Sequence, residues 1–360
     1  MPRNRTLFSQ RKPRRTGCLV YPLLLGLILS IVIALNLVNN GRVKVDTKNV
    51  TVVNLSKDLE KFRILHISDL HGNEFGAGQS TLATVLSDAR YDAVCITGDV
   101  CAPNGDYSAF LALVDLFVPR VPVYFITGDE DPEPILTSAH GSDSVKADYI
   151  LAAEEHGAIY LDAPQSLTIN KSTIWFCPEN MYGLDIASSR TAYLSRRAAL
   201  TANEDQYLPD PSAQIRAIDY RLSVLDEIEA AQALIRPEDV QIALTHHPLT
   251  NETIMTLQQW AGEDRGEFFR GVSLVLAGHY NGGQIRLPGL GAVKAPASAG
   301  MPRGGWLPDD KQVVGLATVQ GITQYISPGL GTSIAYPLAL RLFNTPAVTI
   351  LTLTATLQFS

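Results

Sequence analysis

Asp69 and His71, two residues apart where the apolar run 63–67 gives way to a glycine, carry side chains that can grip one divalent cation. The arrangement recurs along the chain. A run from 91 stops at Asp99, and a run from 121 stops at Asp129, Glu130 and Asp131. Another from 240 ends in His246 and His247, and one from 272 ends at His279, with Asn281 two residues on. Oxygen and imidazole donors without thiolates suit manganese, iron or zinc in a reactive site rather than a structural cysteine-bound zinc. More than four donors favour two ions sharing a carboxylate. Two ions about 3.5–4 Å apart can hold a hydroxide and neutralise charge on a phosphoryl oxygen, which is the chemistry of phosphoester cleavage.

Such donors act together only if the fold brings the run ends to one place. Each run is short and apolar on both alternating faces, the pattern of a strand buried on two sides. Helical spacing at 81–89 and 109–116 separates the first three, so they read as a parallel βαβ array. Open α/β sheets bind ligands outside the carboxyl ends of their strands, where these acids and histidines stand. Between 137 and 236 the pattern predicts a helix at 147–156, a strand at 174–176 and a long polar helix at 213–235; a last strand is predicted at 347–353.

Charge is unevenly spread. Residues 1–16 hold six basic side chains and no acid, and a segment of +6 in a chain of −7 leaves −13 on the remainder. An acidic body lacks the basic face that nucleic-acid binding requires. Four cysteines in 360 residues, none in a C-x-x-C pair, argue against a disulfide framework. Residues 18–38 are uncharged and mostly apolar, long enough to span a bilayer, and no small-x-small cleavage site follows. The expected organisation is a basic cytoplasmic tail at 1–17, a transmembrane anchor at 18–38, a linker with the first edge strand at 39–60, and one domain at 61–360. Basic residues before the anchor predict a single pass of the cytoplasmic membrane, N-terminus inside and domain on the extracytoplasmic side.

As an ordered set, Asp69-x-His71, Gly98-Asp99, the stretch from Gly128 to Asp131, His246 and the stretch from Gly278 to Asn281 resemble the calcineurin-like metallophosphoesterase superfamily. Its motifs run D-x-H, G-D, G-N-H-[DE], H and G-H-x-H. The stretches 278–289 and 325–333 resemble its membrane-tethered bacterial branch. The resemblance implies an α/β fold, a four-layer sandwich of two mixed β-sheets flanked by helices, and two divalent metal ions. It implies that Asp69 and His71 hold the first ion, Asp99 bridges, and His246 and His279 hold the second, with His247 behind them or at the surface. Asp129 stands where the family has a metal-binding Asn, Glu130 where it has its catalytic His, and Asn281 where it has a last ligand His. Asp for Asn keeps an oxygen donor. Asn for His favours a harder ion at the first site. Glu130, with Asp131 beside it, is the candidate catalytic position and needs a raised pKa to serve as an acid. The implied function is that of a membrane-anchored phosphohydrolase cleaving a phosphomonoester or phosphodiester, a lipid or nucleotide-lipid headgroup being the substrate an anchor suggests. The alternative is a degenerate relative that keeps the fold and binds a ligand or partner without turnover.

Overall fold

The computed structural model describes residues 17–138, 144–202, 211–259, 269, 271–298, 304–336 and 340–356; most of the basic tail lies outside these residues. The chain divides into two units, residues 1–39 and 40–360. In the first, α1 (Gly17–Asn40) covers the expected anchor and runs one residue further back and two further on. Within it, Val20–Asn40 is long and apolar enough to cross a membrane. Leu23, Leu25, Leu29 and Leu37 are all exposed, so α1 has no polar face to offer water.

The second unit is built on two six-stranded sheets. The first runs β1 (Lys44–Val52), β16 (Ala347–Ala355), β2 (Arg63–Ile67), β3 (Ala93–Thr97), β4 (Val123–Ile126), β5 (Ile159–Tyr160). Strands β2 to β5 are parallel, β16 is antiparallel to β2, and β1 lies parallel to β16 at the edge. The second runs β14 (Gly315–Val319), β15 (Ile322–Ile326), β9 (Val272–Ala277), β8 (Val240–Leu244), β7 (Ser172–Pro178), β6 (Gln165–Ile169). Its middle four are parallel and its two edges are hairpin partners, so this sheet too is mixed. Two small hairpins follow β9: β10 (Arg286–Leu287) with β11 (Gly291–Ala292), and β12 (Lys294–Ala295) with β13 (Gly305–Trp306).

Alternation along the strands produces the layers. Leu65, Ile67, Val94 and Ile96 face outward to Leu82 of α2 (Ser80–Leu86), Phe110 and Leu113 of α3 (Ser108–Asp115) and Ile150 of α4 (Asp148–Glu155). The intervening Ile64, Ala93 and Cys95 face inward to Phe176, Ile242 and Leu274 of the second sheet. On the far side Trp175, Ala243 and Val275 meet Ile228 of α6 (Ser212–Gln232) and Ile254 of α7 (Asn251–Gln259). Helix, sheet, sheet, helix is the expected four-layer sandwich. His66 lies between the sheets, beside Tyr325 and 2.9 Å from Thr97 Oγ1, and burial pushes its imidazole down to about 3, so it is a neutral core residue.

Sequence spacing did not foresee α5 (Ile186–Thr201). Among the described residues it buries no side chain, so it has no apolar stripe to read. It lies along α6 through charge: Arg190 pairs with Asp226 and Glu229, and Arg197 Nε is 2.6 Å from Asp219. Exposed pairs of this kind contribute little each.

Candidate metal centre

The carboxyl ends of the two sheets meet. The amide of Asp69, after β2, donates to the Gly98 carbonyl after β3 at 3.0 Å, and the Gly278 amide after β9 donates to the His246 carbonyl after β8 at 2.9 Å. Thr97 and His246 tie one sheet to the other, as His246 Nδ1 lies 2.9 Å from the Thr97 carbonyl. These turns are tight enough to force unusual backbone. Of thirteen non-glycine residues with positive φ among those described, five are Asp69, His71, Asp99, His279 and Asn281, so left-handed strain concentrates on the expected ligands. Gly128 permits the closest approach: a Cβ there would lie 2.1 Å from Asp99 Oδ1 and 2.4 Å from the Asp99 amide nitrogen. Gly128→Ala is expected to cost about 1–3 kcal/mol by overpacking, read as a lower denaturation midpoint in urea. A midpoint equal to that of the native chain would show that the turn relaxes freely.

Two groups of donors result. Asp69, His71 and Asp99 form the first, all buried; Asp129, His246, His247 and His279 form the second. Asp69 is held by the Ser68 hydroxyl on Oδ2 and by the His279 amide on Oδ1 at 2.8 Å. The Asn281 amide nitrogen lies 3.2 Å from His71 Nε2, so Asn281 joins the first group. In the second, His246 Nε2 is 2.7 Å from Asp129 Oδ1, and His279 Nδ1 is 3.2 Å from the same oxygen. Asp99 Oδ2 is shared, 3.8 Å from His71 Nε2 and 3.3 Å from His246 Nε2, while Oδ1 accepts the Glu130 amide at 2.9 Å.

The donors fit divalent cations. His246 spends Nδ1–H on the Thr97 carbonyl and His279 spends Nε2–H on the Ala297 carbonyl at 2.8 Å, which turns a bare ring nitrogen of each toward Asp129. Buried polar atoms without an aligned hydrogen bond concentrate here: His71 Nδ1, His246 Nε2, Glu130 Oε2 and Asn281 Oδ1. Protonation reflects the same crowding. Burial alone would lower His246, but the Asp129 and Asp99 carboxylates against it raise it well above the ordinary imidazole value. A proton there supplies the positive charge that a metal ion would supply instead. Burial, followed by the neighbouring His279 and His246 rings, lowers His247 to about 4, so its imidazole is neutral.

Three residues stand differently from the sequence expectation. Asp131 is not in the centre. Its Oδ1 accepts the Val100 and Cys101 amides and its Oδ2 the Gly128 amide, each at 2.8 Å, so it fastens the loop instead of facing a substrate. His247, expected behind the ligands or at the surface, lies tilted against His279 at 4.0 Å between ring centroids and belongs to the second donor group. No signal but its adjacency to His246 could have found it. Glu130 does face the centre: Oε1 accepts the Ser333 hydroxyl and Oε2 is 3.2 Å from His71 Nδ1. Burial would raise its pKa, but His71 and Ser333 hold it below the ordinary carboxylate value, against the raised pKa an acid would need.

The sequence model of the calcineurin-like phosphoesterase family matches residues 62–281, more than half of the chain. Among solved structures, the phosphopantetheinyl hydrolase PptH from Mycobacterium tuberculosis is similar at 15% identity and a TM-score of 0.35, over 74% of this chain and 89% of that one. No curated protein sequence matches.

Proposed function

Because the chain belongs to the calcineurin-like phosphoesterase family, we propose that it hydrolyses a phosphomonoester or phosphodiester at a centre of two divalent ions, Mn, Fe or Zn. The observation that carries this reading is Asp99 Oδ2, which faces a histidine of each donor group at once. Asp69, His71 and Asn281 would hold one ion, Asp129, His246 and His279 the other, and Asp99 both. His247 is a further donor to the second. Such ions supply Lewis-acid neutralisation of phosphoryl charge and acidify the attacking water. The chain's own residues orient them. Ser68 and the His279 amide fix the Asp69 carboxylate, Thr97 and Ala297 set the histidine tautomers, and Glu130 buttresses His71. The apolar α1 supports a tether to the cytoplasmic membrane, with residues 1–17 inside, 39–60 as the linker and first edge strand of the outward part, and 61–360 as the remainder of that domain. A lipid-linked phosphoester is then the natural substrate class.

The purified full chain in detergent is expected to hold two equivalents of manganese and to hydrolyse bis(para-nitrophenyl) phosphate. A chain that takes up no metal would overturn the reading. A second reading is favoured by one observation, the Glu at position 130: without the family's histidine the chain would bind a phosphoester or partner and release it unchanged. Two equivalents of metal with no hydrolysis of mono- or diesters would select it.

A further inference from the structure

A cavity of about 390 Å³ lies against the donor cluster and is walled by the same strand ends. Thr127 follows β4, Glu179 follows β7 and His246 follows β8, while Tyr193 of α5 and Tyr220 and Val224 of α6 close the other side. The helical pair that sequence patterning half missed therefore has a purpose beyond covering a sheet. More of the wall is apolar than polar. Its acids are arranged for donors, not anions. Asp162 accepts the Tyr220 hydroxyl, and burial raises its carboxyl to about 6. The Glu179 carboxylate has no hydrogen-bond or ion-pair partner among the described residues, and burial raises it too. The one arginine in the lining, Arg221, is exposed; Lys146, over the Tyr220 ring, is paired with Glu154 at 2.6 Å and is not part of the wall. A phosphoryl group has its place at the donor cluster, so what enters this cavity is the other part of the molecule.

We infer that the cavity receives the organic group of the phosphoester: carbon-rich, aromatic or aliphatic, with a hydroxyl or amine to donate to Glu179 and no anionic group of its own. The inference rests on the phosphohydrolase reading and narrows its substrate class. A polyanionic nucleotide tail is excluded by the two carboxyl groups, whereas an apolar group of ring size gains from leaving water.

Esters of para-nitrophenyl phosphate that differ in the second substituent test it, using the full chain loaded with manganese. The phenyl ester is expected to exceed the methyl ester in kcat/KM by about tenfold or more, the gain of burying a ring. The 4-carboxyphenyl ester is expected to fall about tenfold below the phenyl ester, because its charge would enter beside Glu179. Val224→Trp, checked for unchanged metal content, fills the cavity and should bring the phenyl-to-methyl ratio near one. Equal values for phenyl and methyl in the native chain, a carboxyphenyl ester as good as phenyl, or a preference that survives Val224→Trp would each overturn the assignment. If no ester turns over, calorimetry with phenylphosphonate and methylphosphonate decides. The same phenyl preference in binding, lost in Val224→Trp, keeps the cavity assignment and sinks only the enzyme reading; no preference, or no binding of either, overturns the assignment.

Discussion

Asp99→Asn is expected to lower manganese-dependent hydrolysis of bis(para-nitrophenyl) phosphate by about a thousandfold or more and to reduce bound manganese from two equivalents to one or none. The substitution changes one oxygen to an amide nitrogen and keeps the shape. Asp99 Oδ1 accepts the Glu130 amide, and Oδ2 faces His71 and His246. An amide can still accept from Glu130 with its remaining oxygen. It then presents NH2 to the two histidines, a donor where a cation requires an acceptor. The two donor groups would be left without their common anion, so the loss belongs to both ions. Some loss of stability is expected as well: burial alone would raise the Asp99 carboxyl, but His246 and His71 hold it below the ordinary carboxylate value, so the substitution removes the buried anion that faces them. The measurement is therefore metal content and kcat/KM on protein shown by its thermal midpoint to be folded at the assay temperature. Full activity in such protein would remove Asp99 from the mechanism.

The reason this position was readable from sequence is physical. Strands β2, β3, β8 and β9 are buried on both faces, so each is a mostly apolar run whose end is sharp, and the acid or histidine two residues past that end stands on the ligand rim. Asp69, Asp99, His246 and His279 were legible for that reason. What was not legible depends on partners far away in the chain. Nothing local distinguishes Asp131, which turns inward to three amides, from Asp129, which turns out to three histidines; the direction is set by the amides of Val100, Cys101 and Gly128. The parallel pairing of β1 with β16, some 300 residues apart, leaves no trace in either strand's own pattern. Helix α5 was invisible because an element that buries no side chain has no hydrophobic period, yet its Tyr193 walls the cavity beside the donors.

Glu130 sets the second large effect. The family's histidine at this place acts on the substrate, but the carboxylate here touches His71 Nδ1 at 3.2 Å and is itself gripped by Ser333, whose amide donates to the buried Gln284 Oε1 at 2.8 Å. A carboxylate behind a ligand histidine fixes its tautomer and turns the opposite nitrogen to the metal, and loss of such a partner costs about 10–100-fold in metal affinity. Glu130→Ala is accordingly expected to weaken one manganese site by that factor while the other, built on Asp129, His246 and His279, keeps its affinity. In a calorimetric titration, two similar sites should separate into one tight and one weak. Glu130→Gln, which keeps the Ser333 contact but accepts from His71 more weakly, should fall between. The alternative role gives a different pattern: a residue acting on the leaving group would lower kcat at saturating metal and leave both affinities alone. Glu130→His combined with Asn281→His sharpens the distinction. If the native chain is a binder that lost turnover with its histidine, the double variant gains hydrolysis from none; if Glu130 orients His71, it restores the family donors and changes the rate little, because an active native centre already holds both ions.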